Sequence, residues 1–69
     1  MKVSTQNYLE EHGKRPNGRE PAAWSFDLYR EGARTTVQTP GPMTLAEAKR
    51  FAVQEARQIG GIVHIELAA

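Results

Sequence analysis

The 69-residue chain contains no cysteine. Neither a disulfide nor a thiolate metal site can therefore brace the fold, and the composition fits a reducing compartment. Long apolar runs are also missing: nothing approaches the roughly 20 consecutive apolar residues of a membrane span, or the shorter apolar core of a signal peptide. Charge of one sign is not in excess, since nine Lys and Arg stand against eight Asp and Glu, for a net charge of +1. That balance excludes a strongly basic nucleic-acid coater and an acidic DNA mimic, and leaves local clustering as the route to any charge-driven function. Aromatic residues make up 7%, so in a chain this short the core is thin. Catalytic signatures are absent as well: there is no G-x-x-x-x-G-K-[ST] phosphate loop, G-x-S-x-G elbow or H-E-x-x-H helix. These absences predict a single domain (residues 1–69) that is not an enzyme, takes no cofactor or metal, and is soluble and cytoplasmic.

What is present centres on Met43 to Gly61, MTLAEAKRFAVQEARQIGG. Thr44 and Glu47 form a T-x-x-E capping box, and loss of the Thr44 hydroxyl is expected to cost about 1 kcal/mol of helix stability. Met43 precedes the cap and can staple onto Ala48. Gly60 supplies a left-handed residue to end the helix, and Gly61 lets the chain reverse. At 3.6 residues per turn, Leu45, Ala48, Ala52, Ala56 and Ile59 share one stripe, with Phe51 and Val53 on its shoulders. Arg50, Gln54 and Arg57 occupy the opposite side, and Lys49 lies near the Val53 shoulder. The alanines predict close approach of the helix to a sheet.

The remaining elements follow in chain order. In residues 1–13, Ser4 can cap a short helix carrying Tyr8 and Leu9 and ending at Gly13. Alternatively Val3, Thr5 and Asn7 start an edge strand; the helix is preferred. Lys14 to Pro21, KRPNGREP, is a loop whose Asn17-Gly18 pair favours a turn with positive φ. It brings Lys14, Arg15 and Arg19 close together, either as a solvated loop or as a basic finger. Ala22 to Arg30 alternates, with Trp24, Phe26 and Leu28 facing the core and Ser25, Asp27 and Tyr29 facing away. Glu31-Gly32 is a turn, and Ala33 to Thr39 forms the second strand of a hairpin. Pro40-Gly41-Pro42 stops the pairing. Ile62 to Leu67 is a last strand, with Val63, Ile65 and Leu67 inward and Ile62, His64 and Glu66 outward, paired antiparallel beside the hairpin or parallel through a crossover. The predicted class is α+β: a small antiparallel sheet, hairpin plus C-terminal strand, with one main amphipathic helix packed across it. Residues 22–69 form its core and residues 1–21 an N-terminal segment with a basic loop.

The chemistry on offer is mostly electrostatic. His64 and Glu66 share a strand face and offer two metal ligands, whereas zinc takes three or four, and His12 is remote in sequence. Arg50 and Arg57 lie two turns apart on the exposed helix face, with Lys49 at the flank. Such a face is either ordinary and solvated, helped by the Glu47–Arg50 spacing, or part of a surface for phosphate or an acidic protein. The candidate partner-binding residues are therefore Lys49, Arg50 and Arg57, with Arg15 and Arg19 as a second cluster.

From Thr44 to Glu66 the chain resembles very small phage-encoded inhibitors of bacterial CRISPR immunity, specifically the ninth class of type I-F anti-CRISPR proteins. The shared pattern is Thr44, Leu45, Ala48, Lys49, Arg50, Ala52, Glu55, Gly60, Ile65 and Glu66. The resemblance implies one helix on an antiparallel sheet. It also implies binding to a CRISPR-Cas ribonucleoprotein in the host bacterial cytoplasm, with blockage of target DNA through basic helix residues that correspond to Lys49 and Arg50. A second helix lysine of that family corresponds to Gln54. Trp24 to Ala56 is also similar in pattern to the arm-type and AP2-like DNA-binding domains of phage integrases. That likeness implies a sheet laid in the major groove, for which Ser25, Asp27 and Tyr29 make a poor reading surface. An assembly protein, dimeric through a sheet edge or through Phe51 and Val53, is a further alternative.

Overall fold

The computed structural model describes residues 1–68. Six elements follow in order: β1 (Val3–Ser4), α1 (Gln6–His12), β2 (Ser25–Arg30), β3 (Ala33–Gln38), α2 (Leu45–Ile59) and β4 (His64–Leu67). The sheet order is β1-β4-β2-β3. The fold is α+β, with the longer helix packed against the sheet. The hairpin and the antiparallel β2–β4 pair match the expected sheet. An additional strand, β1, pairs parallel to β4 and makes the sheet mixed.

The N-terminal segment forms the expected helix, preceded by a two-residue strand in which Val3 takes part while Thr5 and Asn7 do not. Val3 and Ser4 pair with Ile65 and Glu66, and the chain then turns into α1. Ser4 is not the cap of that helix, because the N-cap is Thr5, which makes no side-chain cap bond. Gly13 ends α1 with φ 70°, as a left-handed C-cap.

The core is built as the alternation of β2 requires. Trp24, Phe26 and Leu28 are buried together with Ala48, Ala52 and Ala56 from α2 and Ile65 and Leu67 from β4. The α2 cap forms both halves of its box: Glu47 N–H donates to Thr44 Oγ1, and Thr44 N–H donates to Glu47 Oε1. The Thr44 N–H, foremost among its partners, holds the Glu47 carboxyl below its usual range, aided by the Thr44 hydroxyl and Arg50. Strand β2 starts later than the alternation suggests. Ala22 instead pairs with Met43 through reciprocal backbone bonds, and Trp24 Nε1–H donates to the Met43 carbonyl at 2.7 Å. The indole thus pins the Pro40–Pro42 turn and sets where α2 begins.

Four sequence expectations change. Ile62 is buried and Val63 is 75% exposed, the reverse of the expected alternation. Gly60 and Gly61 both take positive φ and swing the chain before the regular ladder starts at His64. Gly60 combines φ 80° with ψ 152°, so it is not a left-handed αL cap but lies in a region essentially reserved for glycine. Ile59 ends its stripe exposed.

Gly18 is not a positive-φ turn residue; it is a point of close approach. Its carbonyl accepts from Leu45 N–H at 3.1 Å, and a Cβ placed there would lie 2.8 Å from Leu45 Cβ. The loop is thereby tied to the first turn of α2. Gly18→Ala is expected to lower stability by about 1 kcal/mol, as overpacking against Leu45 outweighs the entropy gained by restricting the unfolded chain. A urea midpoint equal to or above that of the wild type would show that the loop yields freely.

Candidate functional site

Helix α2 leans on the sheet through its alanines, so its flank faces the edge strand β1 across a groove of about 680 Å³. Lys49, Arg50 and Arg57 line one wall and Lys2 the other, and no carboxylate lines it. Among the described residues no Lys or Arg lies within ion-pair distance of a carboxylate, so none of these cations is neutralised by direct pairing. The floor is apolar: Val3 and Val53 are half-buried against the core, and Met1 lies at the mouth. Lys49, Val53 and Arg57 fall at i, i+4 and i+8. One helical row therefore carries cation, valine and cation over roughly 12 Å. Gln54 lines the groove beside them, in keeping with its place between Arg50 and Arg57 on the helix.

A smaller hollow of about 340 Å³ adjoins on the other side of Lys49, between α1 and the start of α2. Arg15 lines it together with Lys49, Leu45 and Pro16. The basic side chains chosen from sequence therefore divide. Lys49, Arg50 and Arg57 share one groove, and Arg15 connects to it through Lys49. Arg19 lines neither hollow. Its backbone N–H is turned onto Asn17 Oδ1 at 3.2 Å, and the residue is exposed. Sequence reasoning missed Lys2, Val3 and Met1, because a two-residue parallel strand has no periodic signature.

The position of Lys2 depends on what holds β1, and that is Glu66. Its carboxylate lies on the sheet face opposite the core, as the alternation predicts, yet the residue is only 4% exposed. Asn7 N–H donates to its Oε2 at 3.0 Å and His64 Nε2–H to its Oε1 at 2.8 Å. A carboxylate only accepts, so the Nε2 atom of His64 carries the hydrogen. Burial pushes the Glu66 carboxyl up, but the Asn7 N–H, the His64 ring and the Ser4 hydroxyl together hold it below its ordinary value. Glu66 thus meets an N–H in the first turn of α1 from across the sheet, where the helix end favours negative charge. This is the structural use of the His64–Glu66 pair that the metal reading had singled out. Among the described residues no group of three or more His, Cys, Asp or Glu could hold a metal ion.

The open sheet face carries an acid, Asp27, where a DNA-reading sheet would carry basic side chains. Asp27 and Glu66 are cross-strand partners, and Asp27 accepts from the Thr36 hydroxyl at 2.8 Å. Comparison with protein-family models, curated proteins and solved structures finds no match to this chain. No helix among the described residues is long and apolar enough to cross a membrane.

Proposed function

We propose that this is a non-enzymatic interaction protein that docks the groove between α2 and β1 on an anionic surface of a larger assembly and acts by occlusion. The observation that supports this reading is the convergence of Lys2, Lys49, Arg50 and Arg57 around one groove without a carboxylate. The resemblance over Thr44 to Glu66 gives the reading its specific form. It points to a phage-type anti-CRISPR protein that binds a CRISPR-Cas ribonucleoprotein in the host cytoplasm and blocks target DNA binding.

The test is the affinity of the protein for a purified type I-F surveillance complex, with target-DNA binding followed in parallel. The expected result is nuclease-resistant binding that excludes target DNA. The Arg50→Glu, Arg57→Glu double variant is expected to bind at least about tenfold more weakly, a change of about 1.4 kcal/mol, with its helical circular dichroism unchanged. No binding by the wild type, or equal affinity in the double variant, would overturn the reading.

A second reading, a small nucleic-acid-binding module, is favoured by the same cation row along α2. It predicts binding to naked nucleic acid that weakens steeply with salt. Asp27 on the open sheet face favours the groove over that face for such binding.

A further inference from the structure

We infer that the groove takes an acidic amphipathic protein segment rather than a phosphate backbone, an inference that rests on the groove being the binding site. The walls alone would suit either partner, since cations attract carboxylates and phosphates alike. The floor distinguishes them. Val3 and Val53, with Met1 at the mouth, present apolar surface between the cations, and a sugar-phosphate backbone has nothing apolar to place there. A protein segment does.

The row Lys49, Val53 and Arg57 also specifies a complement. A helix that packs its own i, i+4, i+8 row against this one follows the common ridge-into-groove arrangement of two such rows. Its matching residues are an acid, an aliphatic anchor and a second acid, with the carboxylates roughly 12 Å apart. Glu-x-x-x-Leu-x-x-x-Glu on one helical face satisfies that spacing: each carboxylate meets a cation, and the leucine enters between Val53 and Val3. Lys2 and Arg50 then close over the flanks of the same segment. Fixed cations on the walls and a desolvated anchor at the centre form the usual anatomy of helix-in-groove recognition.

The experiment titrates the full chain against three labelled probes and follows their anisotropy. The probes are a synthetic helical peptide with Glu-x-x-x-Leu-x-x-x-Glu on one face, a short oligothymidylate and a short DNA duplex. The peptide is expected to bind. Leu→Ser in the peptide, or Val53→Ser in the protein, should each weaken it about tenfold, the value of one buried aliphatic side chain. The peptide change leaves the protein untouched, so it decides the matter even where Val53→Ser impairs folding. Oligonucleotide binding that is indifferent to Val53→Ser, with no peptide binding, would overturn the inference while keeping the groove as the binding site. If no probe binds, or if binding is unchanged in the Arg50→Glu, Arg57→Glu variant, both the inference and the reading beneath it fail.

Discussion

Ala52→Leu is expected to destabilise the domain by about 3 kcal/mol, the upper part of the range for overpacking a closed core. Ala48, Ala52 and Ala56 are 0–2% exposed and lie against Phe26, Leu28, Ile65 and Leu67 in one core. The isobutyl group of leucine has no room unless α2 lifts from the sheet. A 69-residue chain has in all roughly 3–10 kcal/mol of stability, so the variant is expected to populate unfolded chains at room temperature. Ala46→Leu, six residues earlier in α2 and exposed, is the control and should shift the urea midpoint little. If Ala52→Leu unfolded within about 0.5 kcal/mol of the wild type, α2 would have to stand further from the sheet than described. The groove against β1 would then change shape too, since the same approach brings Val53 towards Val3.

Glu66→Ala is expected to cost about 2–3 kcal/mol. It leaves the Asn7 N–H and the His64 ring without their acceptor, and hydrogen bonds to a buried charged group sit at the upper end of the usual range. Glu66→Gln should cost less. An amide oxygen still accepts from Asn7, and removing the charge relieves the cross-strand repulsion with Asp27. The pH dependence separates the two effects. Because the folded-state value of Glu66 is lowered from 4.5, its ionised form contributes stability that is fully present above that unfolded value. The contribution is lost as pH falls through the lower folded value. Wild type minus Glu66→Gln stability should therefore shrink as pH falls below 4.5. The difference between the two proteins is the readout, since Glu47 is lowered as well and contributes equally to both. A difference that grew as pH fell below 4.5 would contradict the assigned bonding. Glu66→Ala should also weaken groove binding, because β1 and α1 are held by this carboxylate and Lys2 and Val3 belong to β1.

The parts of the fold legible in the sequence are those with a local signal. The T-x-x-E box, the alternation of Trp24, Phe26 and Leu28, and the alanine spacing each report on contacts made by their own neighbours in the chain. The hairpin and α2 follow from them directly. The pairing of β1 with β4 is not legible in the sequence. Val3 finds Ile65 across almost the whole chain, and two residues hold too little pattern to announce a strand. Glu66 read as an ordinary outward residue because its partner, the Asn7 N–H, belongs to a helix whose placement no spacing rule gives. Gly18 likewise looked like a turn glycine, whereas its smallness serves contact with Leu45. The candidate site shows the same division. Lys49, Arg50 and Arg57 were visible as a helix face, while the wall and floor that make that face a groove come from β1. Arg19 is near Arg15 in sequence, but it lines neither hollow.

The central claim is that the α2–β1 groove is the surface on which a partner docks. The most direct measurement is a map of backbone amide shifts in the labelled protein as the Glu-x-x-x-Leu-x-x-x-Glu peptide is added. The account predicts saturable shifts at Lys2, Val3, Lys49, Arg50, Val53, Gln54 and Arg57, with Ser25, Asp27, Tyr29 and Thr36 on the open sheet face unmoved. Shifts gathered on that open face, or none along α2, would contradict it.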